Sequence, residues 1–347
     1  MSELRVMIAS PLEAEHVARI RREMPVGVEL IYEPTLLPPT LYTGDHDGPD
    51  DFQRTPEDER RWWELIATAD ALYDFPARDR HPHTYAPQLK WVQTTSAGVG
   101  QRVARAGIQP GELIVTTASG VHARPLAEFV FLTLLMAVKQ QDRLAGDQRA
   151  HHWERFCSDE LTGKTLAIIG PGRIGREVAR IARVFDMTPV ALARDNRPER
   201  AAELGVDRLY AREELRDVLA IADAVVLAAP HTPETENLFD RAAFAALKRG
   251  TIFVNIGRGS LVDEDALLDA LQDGTIRFAG LDVFRTEPLS TDSPFWELPN
   301  VLVSPHSAST TTFENERIVE IFLHNLRCFA EGRPAEMRNV LDIARMY

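Results

Sequence analysis

The stretch that most limits what this chain can fold into is LAIIGPGRIGREVA. Gly170, Gly172 and Gly175 stand in G-x-G-x-x-G spacing, after an apolar run and at the start of an amphipathic helical pattern. The spacing alone is a weak signal, but between a strand and a helix it has a physical meaning. Gly170 permits a tight turn, Gly172 lets a backbone approach a pyrophosphate, and Gly175 lets the helix pack close to the sheet. Backbone N–H groups at the helix start, on Arg173 and Ile174, then face the phosphates, aided by the helix dipole. The stretch therefore predicts a dinucleotide-binding turn.

Strand-like and helix-like patterns alternate nearly throughout, which predicts an α/β fold with mainly parallel sheets. Strands are expected at 4–9, 28–32, 71–75, 91–94 and 114–117. A cleaner series follows at 166–169, 190–193, 225–229, 252–256, 279–283 and 301–304. A dinucleotide domain is placed at 122–308, and residues 1–121 with 309–347 are expected to form a second, discontinuous domain. The segment EPTLLPPTLYTGDHDGPDDFQRTP reads as a long loop, either functional or mobile. A helix is predicted after it, with Thr55 as N-cap and Pro56 at its first position. The most apolar run, 125–138, contains Glu128 and is too short for a bilayer, which needs about 20 residues; it reads as a core helix.

Composition narrows the partners. Of 347 residues, 44% are hydrophobic and 26% charged, an ordinary balance for a globular protein, and the formal net charge is -13. Such an acidic chain is poorly suited to nucleic acid, whose binding depends on cationic neutralisation of phosphate. No membrane segment and no signal peptide are read. Two cysteines, Cys157 and Cys328, without metal-type pairing fit a reduced, cytoplasmic setting and no metal site.

Three segments place polar groups just after buried strands, where ligands of open α/β sheets sit. IFVNIGRGSLVDEDAL carries Arg258, FAGLDVFRTEPL carries Glu287 and NVLVSPHSAST carries His306. Arg258 can clamp a carboxylate through its two-pronged guanidinium. His306 can exchange a proton with a carbonyl or hydroxyl oxygen. Glu287 can orient the imidazole and favour its protonated form. Alone, Arg258 or Glu287 more often reads as a solvated loop charge, and His306 beside Pro305 as a structural turn residue; their joint placement beside a dinucleotide turn favours one site.

GPGRIG, NIGRGSLVDEDALLDAL, AGLDVFRTEPL and LPNVLVSPHSA, in that order, resemble the D-isomer-specific 2-hydroxyacid dehydrogenases. The likeness covers roughly residues 90–330. It implies two Rossmann-like doubly wound domains with the active site in the cleft between them, and a homodimer built around the long helix after Gly120. It also implies reduction of a 2-keto acid to a D-2-hydroxy acid by hydride transfer from NADPH or NADH. Arg258 would then bind the carboxylate, with His306 as acid/base paired to Glu287. QTTSAGVG resembles the loop that receives the carboxylate on backbone N–H groups, which points to Ala97 and Gly98; this chain has Gly100 where the family often has an acidic residue. Pro230, Thr232, Ile256, Asp282 and His306 match cofactor-contacting positions. A cofactor-sensing, non-enzymatic relative of the corepressor type and a phosphite dehydrogenase share the triad and stand as alternatives. Formate dehydrogenases pair their histidine with glutamine, and Glu287 argues against that.

The strand VALARDNRP decides the cofactor. Family members specific for NAD carry an acidic residue at its end, where this chain has Ala193. Arg194 follows and suits a 2′-phosphate, so NADP(H) is expected over NAD(H), with Arg197 as a second cation. The competing reading ends the strand later and gives the ribose to Asp195. Other constellations read as structural. Trp153 and Trp296 are expected to pack in a core or interface. His151 and His152, taken as helical neighbours, face apart. HPHTY reads as a surface turn and GDHDGPDD as a solvated loop. His122 and Arg124 mark the domain junction.

Overall fold

Short apolar runs and amphipathic stretches become strands and helices in turn. In the computed structural model, which describes residues 4–77, 80–195 and 197–345, the chain divides into two units. One ends at His122 and resumes at Thr310; the other spans Ala123–Ser309.

The first unit holds Leu4–Ile8 (β1), Ala14–Glu23 (α1), Val28–Ile31 (β2), Pro56–Ile66 (α2), Ala71–Tyr73 (β3), Trp91–Gln93 (β4), Gly100–Arg105 (α3) and Ile114–Thr116 (β5). Its five strands are parallel in the order β2-β1-β3-β4-β5. One face buries Leu72 and Val92 under Trp62, Ile66 and Val103. Val6, Ile8, Tyr73 and Trp91 bury the other face. As expected, Thr55 caps α2, accepting the Asp58 N–H at 3.1 Å, with Pro56 in the first turn.

The loop before α2 departs from its expected solvated character. Asp45 is 3% exposed. Its carboxylate accepts the backbone N–H groups of Leu41, Asp47 and Gly48 at 2.8, 3.1 and 3.0 Å, replacing the water it loses. Earlier in the same loop Leu36 and Leu37 are buried, in and just after a 3-10 turn.

The second unit runs Ala123–Lys139 (α4), Gln141–Arg149 (α5), Thr165–Ile169 (β6), Arg173–Val184 (α6), Thr188–Leu192 (β7), Pro198–Leu204 (α7), Arg208–Tyr210 (β8), Leu215–Ile221 (α8), Ala224–Leu227 (β9), Arg241–Ala245 (α9), Thr251–Asn255 (β10), Glu264–Gln272 (α10), Ile276–Leu281 (β11) and Val301–Val303 (β12). Its seven strands lie in the order β12-β11-β10-β9-β6-β7-β8, all parallel. The chain builds outward from β6 in one direction and from β9 in the other, so the order reverses between them. α4, α6 and α7 bury one face, with Leu134, Val178 and Leu204 in the core; α8, α9 and α10 bury the other with Val218, Phe244 and Leu267. β8 was not expected from the sequence: it has three residues and only Tyr210 is fully buried.

After the second unit the chain returns to the first through Glu314–Ala330 (α11), which lays Ile318, Phe322 and Leu326 against the first sheet's Tyr73 and Trp91. Both sheets are parallel with helices on both faces, the doubly wound α/β class. Among the described residues no helix is long and apolar enough to cross a membrane. The apolar run 125–138 lies within α4 and is buried over much of its length.

Candidate active site

The point where strand order reverses in the second unit is where open α/β sheets leave a crevice. The glycine turn occupies it. Gly170 has φ +87, and a Cβ there would sit 2.5 Å from the Ala229 backbone that follows β9. Only glycine passes so close. A Cβ on Gly175 would meet Ile168 at 2.9 Å, so α6 packs tightly on β6. Gly172 differs: a Cβ there would meet nothing within 4 Å, and the residue is exposed at the N-cap of α6. The N–H groups of Arg173, Ile174 and Gly175 form the first turn of that helix. A tight turn, open space at Gly172 and a row of helix-start donors fit a dinucleotide pyrophosphate. Beside it, Thr235 Oγ1 accepts the Thr232 N–H and donates to the Pro230 carbonyl, both at 2.8 Å, fixing the turn after β9. Ile256 is buried at the end of β10.

Arg258 follows Ile256 in a turn stapled by Asn255, which is 1% exposed. Asn255 donates to the Arg258 carbonyl at 3.2 Å and accepts the Gly257 N–H at 3.1 Å. A Cβ on Gly259 would lie 1.9 Å from the Phe284 carbonyl carbon. The arginine turn therefore rests directly on the backbone of the loop that carries Glu287. The Arg258 guanidinium donates to the Gly257 carbonyl at 2.7 Å. Surrounding protein lowers its pKa, and the nearby charges of Glu287 and Asp282 oppose that.

Glu287 spends one oxygen on the Phe284 N–H at 2.9 Å and aims the other at His306 Nδ1, 2.8 Å away. Burial would raise its pKa; the His306 and Phe284 hydrogen bonds outweigh it, and the carboxyl stays below its ordinary value. The His306 pKa is raised, first by the Glu287 hydrogen bond, against burial and the charge of Arg258. Arg258, Glu287 and His306 thus act on one another and form one cluster. With Nδ1 donating to Glu287, Nε2 is the nitrogen available for proton exchange. The geometry offers a cationic clamp beside a proton donor.

His306 has φ +55, a left-handed conformation uncommon outside glycine. Asp282 stands under that turn. It is 2% exposed, and its carboxylate is turned inward, accepting Ser304 Oγ–H at 2.6 Å and the Ala308 N–H at 2.9 Å.

At VALARDNRP, β7 ends at Leu192 and Ala193 is buried, so the strand does not extend to Asp195. The Asp195 carboxylate is instead taken by Arg197 and Arg200 at 2.9 and 3.0 Å, which hold its pKa far below the carboxylate range. The Arg197 guanidinium pairs two-pronged with Asp195. Arg194 is exposed, and its charge, with that of Arg212, reaches Glu234 in the turn after β9.

In the first unit Ala97 and Gly98 are exposed in the turn between β4 and α3, at the carboxyl edge of that sheet. Gly100 is buried as the first residue of α3. The same unit holds a cluster that the sequence did not suggest. Glu314 opens α11, accepts from His122 Nε2 at 3.0 Å and lies 3.7 Å from His46 Nε2; His46 Nδ1 is 3.4 Å from Ser10 Oγ. The two histidines outweigh burial and hold the Glu314 pKa at about 2. Nothing local in the sequence announces a pair 192 positions apart. His81 caps a short 3-10 turn, Pro82–Thr84, and His83 lies within it, at the turn expected there. Arg124 pairs with Glu128 and Glu177 at 2.7 and 3.1 Å. His151 and His152 lie beyond the end of α5 rather than within a helix. Trp153 is 94% exposed and Trp296 48%, so neither is a core residue of this chain.

Residues 131–308 match the family model described as D-isomer specific 2-hydroxyacid dehydrogenase, NAD binding domain. A D-3-phosphoglycerate dehydrogenase from Mycobacterium bovis is 41% identical over 235 residues, which are 67% of this chain and 43% of that protein. The chain thus spans less than half the length of the phosphoglycerate dehydrogenases it matches first. A glyoxylate reductase from Aeropyrum pernix is 33% identical over 276 residues, 76% of this chain and 81% of that protein. The crystal structure of a D-isomer specific 2-hydroxyacid dehydrogenase family protein from Aeromonas salmonicida superposes with a TM-score of 0.81 at 28% identity, covering 99% of this chain and all of that one.

Proposed function

The chain belongs to the D-isomer-specific 2-hydroxyacid dehydrogenase family, and from that premise we propose that it reduces a 2-keto acid to the D-2-hydroxy acid. The observation that carries the proposal is His306 Nδ1 at 2.8 Å from Glu287, with Arg258 alongside, on the same sheet edge as the Gly170 turn. The unit spanning Ala123–Ser309 would hold the cofactor through Gly170, Gly172, Arg173, Ile174 and Gly175, with Pro230, Thr232 and Ile256 beside it. Ala97 and Gly98 are proposed to receive the substrate carboxylate on their backbone N–H groups. When bound, the reduced nicotinamide supplies the hydride. Arg258 holds the carboxylate two-pronged and fixes the reacting carbon. His306, protonated because Glu287 favours the imidazolium, donates a proton from Nε2 to the keto oxygen as negative charge develops there. Glu287 keeps its own charge and fixes the ring.

NADPH is the proposed cofactor in preference to NADH. The support is local: no carboxylate ends β7, Asp195 is bound to Arg197 and Arg200, and Arg194 is exposed one residue past Ala193. A homodimer is proposed through the second unit, whose Leu132, Val184 and Trp153 are 50, 72 and 94% exposed.

The test is a panel of 2-keto acids assayed with each cofactor, beside His306→Ala. Turnover with NADPH that disappears in the variant, while NADPH still binds, supports the reading. No turnover of any 2-keto acid with either cofactor, or a variant that turns over normally, ends it.

A further inference from the structure

Three atoms of the His306 turn converge on one residue. The His306 N–H donates to the Asp282 carbonyl at 2.9 Å. The Asp282 carboxylate accepts from Ser304 Oγ, two residues before His306, at 2.6 Å and from the Ala308 N–H, two residues after, at 2.9 Å. Asp282 therefore grips every second residue through a turn whose central φ, +55, is unfavourable for histidine. A left-handed residue is unfavourable outside glycine and persists only where its surroundings hold it.

Taking the dehydrogenase reading of this site as given, we propose that Ser304 is a positioning residue, acting through Asp282: its hydroxyl fixes the carboxylate that clamps the turn carrying His306. The clamp is stronger with Asp282 ionised, because every group aimed at the carboxylate from this turn is a donor. Ser304 Oγ–H and the N–H groups of Ser307 and Ala308 all point to it. A protonated Asp282 would bring a fourth donor into that shell. Burial already pushes its pKa above the ordinary value; the Ser304 bond is the largest opposing influence, followed by the Ala308 N–H and the charge of His306. Arg258, after β10, also acts on Asp282 and supports its charge; Glu287, in the loop after β11, acts with both on His306. Removing the Ser304 hydroxyl shifts Asp282 protonation to higher pH. A charge-assisted hydrogen bond of this kind is worth roughly one pH unit.

The experiment compares wild type, Ser304→Ala, Ser304→Thr and Asp282→Asn by amide exchange over residues 304–309 in the cofactor-free protein, corrected for intrinsic rate, across acid to alkaline pH. The same variants are assayed for the pH dependence of kcat. In Ser304→Ala, protection of the His306 and Ala308 amides should fall about tenfold on the acid side and match wild type on the alkaline side. The acid limb of kcat should move upward by about one pH unit. Ser304→Thr restores both, and Asp282→Asn removes the acid-side dependence of exchange. Superimposable profiles for wild type and Ser304→Ala overturn the proposal. So does a loss equal at every pH, which would mark Ser304 as merely structural. If exchange behaves as expected while no 2-keto acid is turned over, the clamp stands and the dehydrogenase reading fails.

Discussion

The His306–Glu287 pair of the second unit and the His122–Glu314 pair of the first are chemically alike, 2.8 and 3.0 Å between ring nitrogen and carboxylate. Their settings are not. The first pair is 45 and 36% exposed at a sheet's carboxyl edge, beside Arg258. The second is 14 and 7% exposed and is joined by His46. A proton on His306 can be handed to something outside the protein; His122 is surrounded by protein and its ring nitrogen is spent on a buried carboxylate. Glu314 also ties the end of the first chain crossing, at His122, to the start of the last helix. The residue pair alone does not say whether it works or holds; solvent access and neighbouring charge do.

The sharpest way to break this contrast is to exchange the outcomes. His306→Ala should lower kcat about 10²- to 10⁴-fold while melting temperature and NADPH affinity stay close to wild type. A large loss of stability instead would mean that both pairs hold the fold. Conversely, Glu314→Ala strands two histidines in a buried site and should cost about 3 kcal/mol of stability, read by denaturant unfolding, with the kcat of the folded fraction nearly unchanged.

The two pairs should also respond oppositely to pH. With the His306 pKa raised, keto-acid reduction should persist above pH 6.5 and fall as pH rises through the folded value, and the reverse oxidation should rise over the same range. Glu287→Gln should bring that limb down by about one pH unit, tenfold in rate on the alkaline side. At the buried cluster the readout is stability. His46 has a raised pKa, so its contribution is complete below pH 6.5 and lost as pH rises through the folded value. Glu314 is lowered from 4.5 to about 2, so its contribution is complete above pH 4.5 and lost as pH falls towards 2. The stability gap between wild type and Glu314→Ala should therefore be widest between those limits. A gap that does not change with pH would remove the charge argument.

The same contrast recurs on a smaller scale in two nearby arginines. Arg197 is paired with Asp195, whereas Arg194 lies at the end of β7 within reach of Glu234. Arg194→Ala should weaken NADPH binding roughly tenfold and leave NADH unchanged. Arg197→Ala should do little to either; equal loss with both cofactors in Arg194→Ala would count against the selector role.

The sequence made some of this plain and hid the rest for physical reasons. Strand–helix alternation and the three polar residues after strands were legible because each rests on local periodicity and a short motif. β8 was not: three residues with one fully buried side chain carry no period. Asp45 looked solvated because acidic runs usually are; its burial depends on three backbone donors that only the folded loop brings to it. Ser304 had a faint signal, two residues ahead of His306 at strand spacing. Glu314 had none, since its partners come from residues 46 and 122.

Gly259 leaves no side chain between the arginine turn and the peptide after Phe284. The spacing between the Arg258 turn and the loop that carries Glu287 is therefore written in main chain, which does not change when side chains are exchanged. Natural drift or deliberate redesign can exchange residues elsewhere while these two loops keep their spacing. The cost falls on one position, where even alanine would pry the two loops apart.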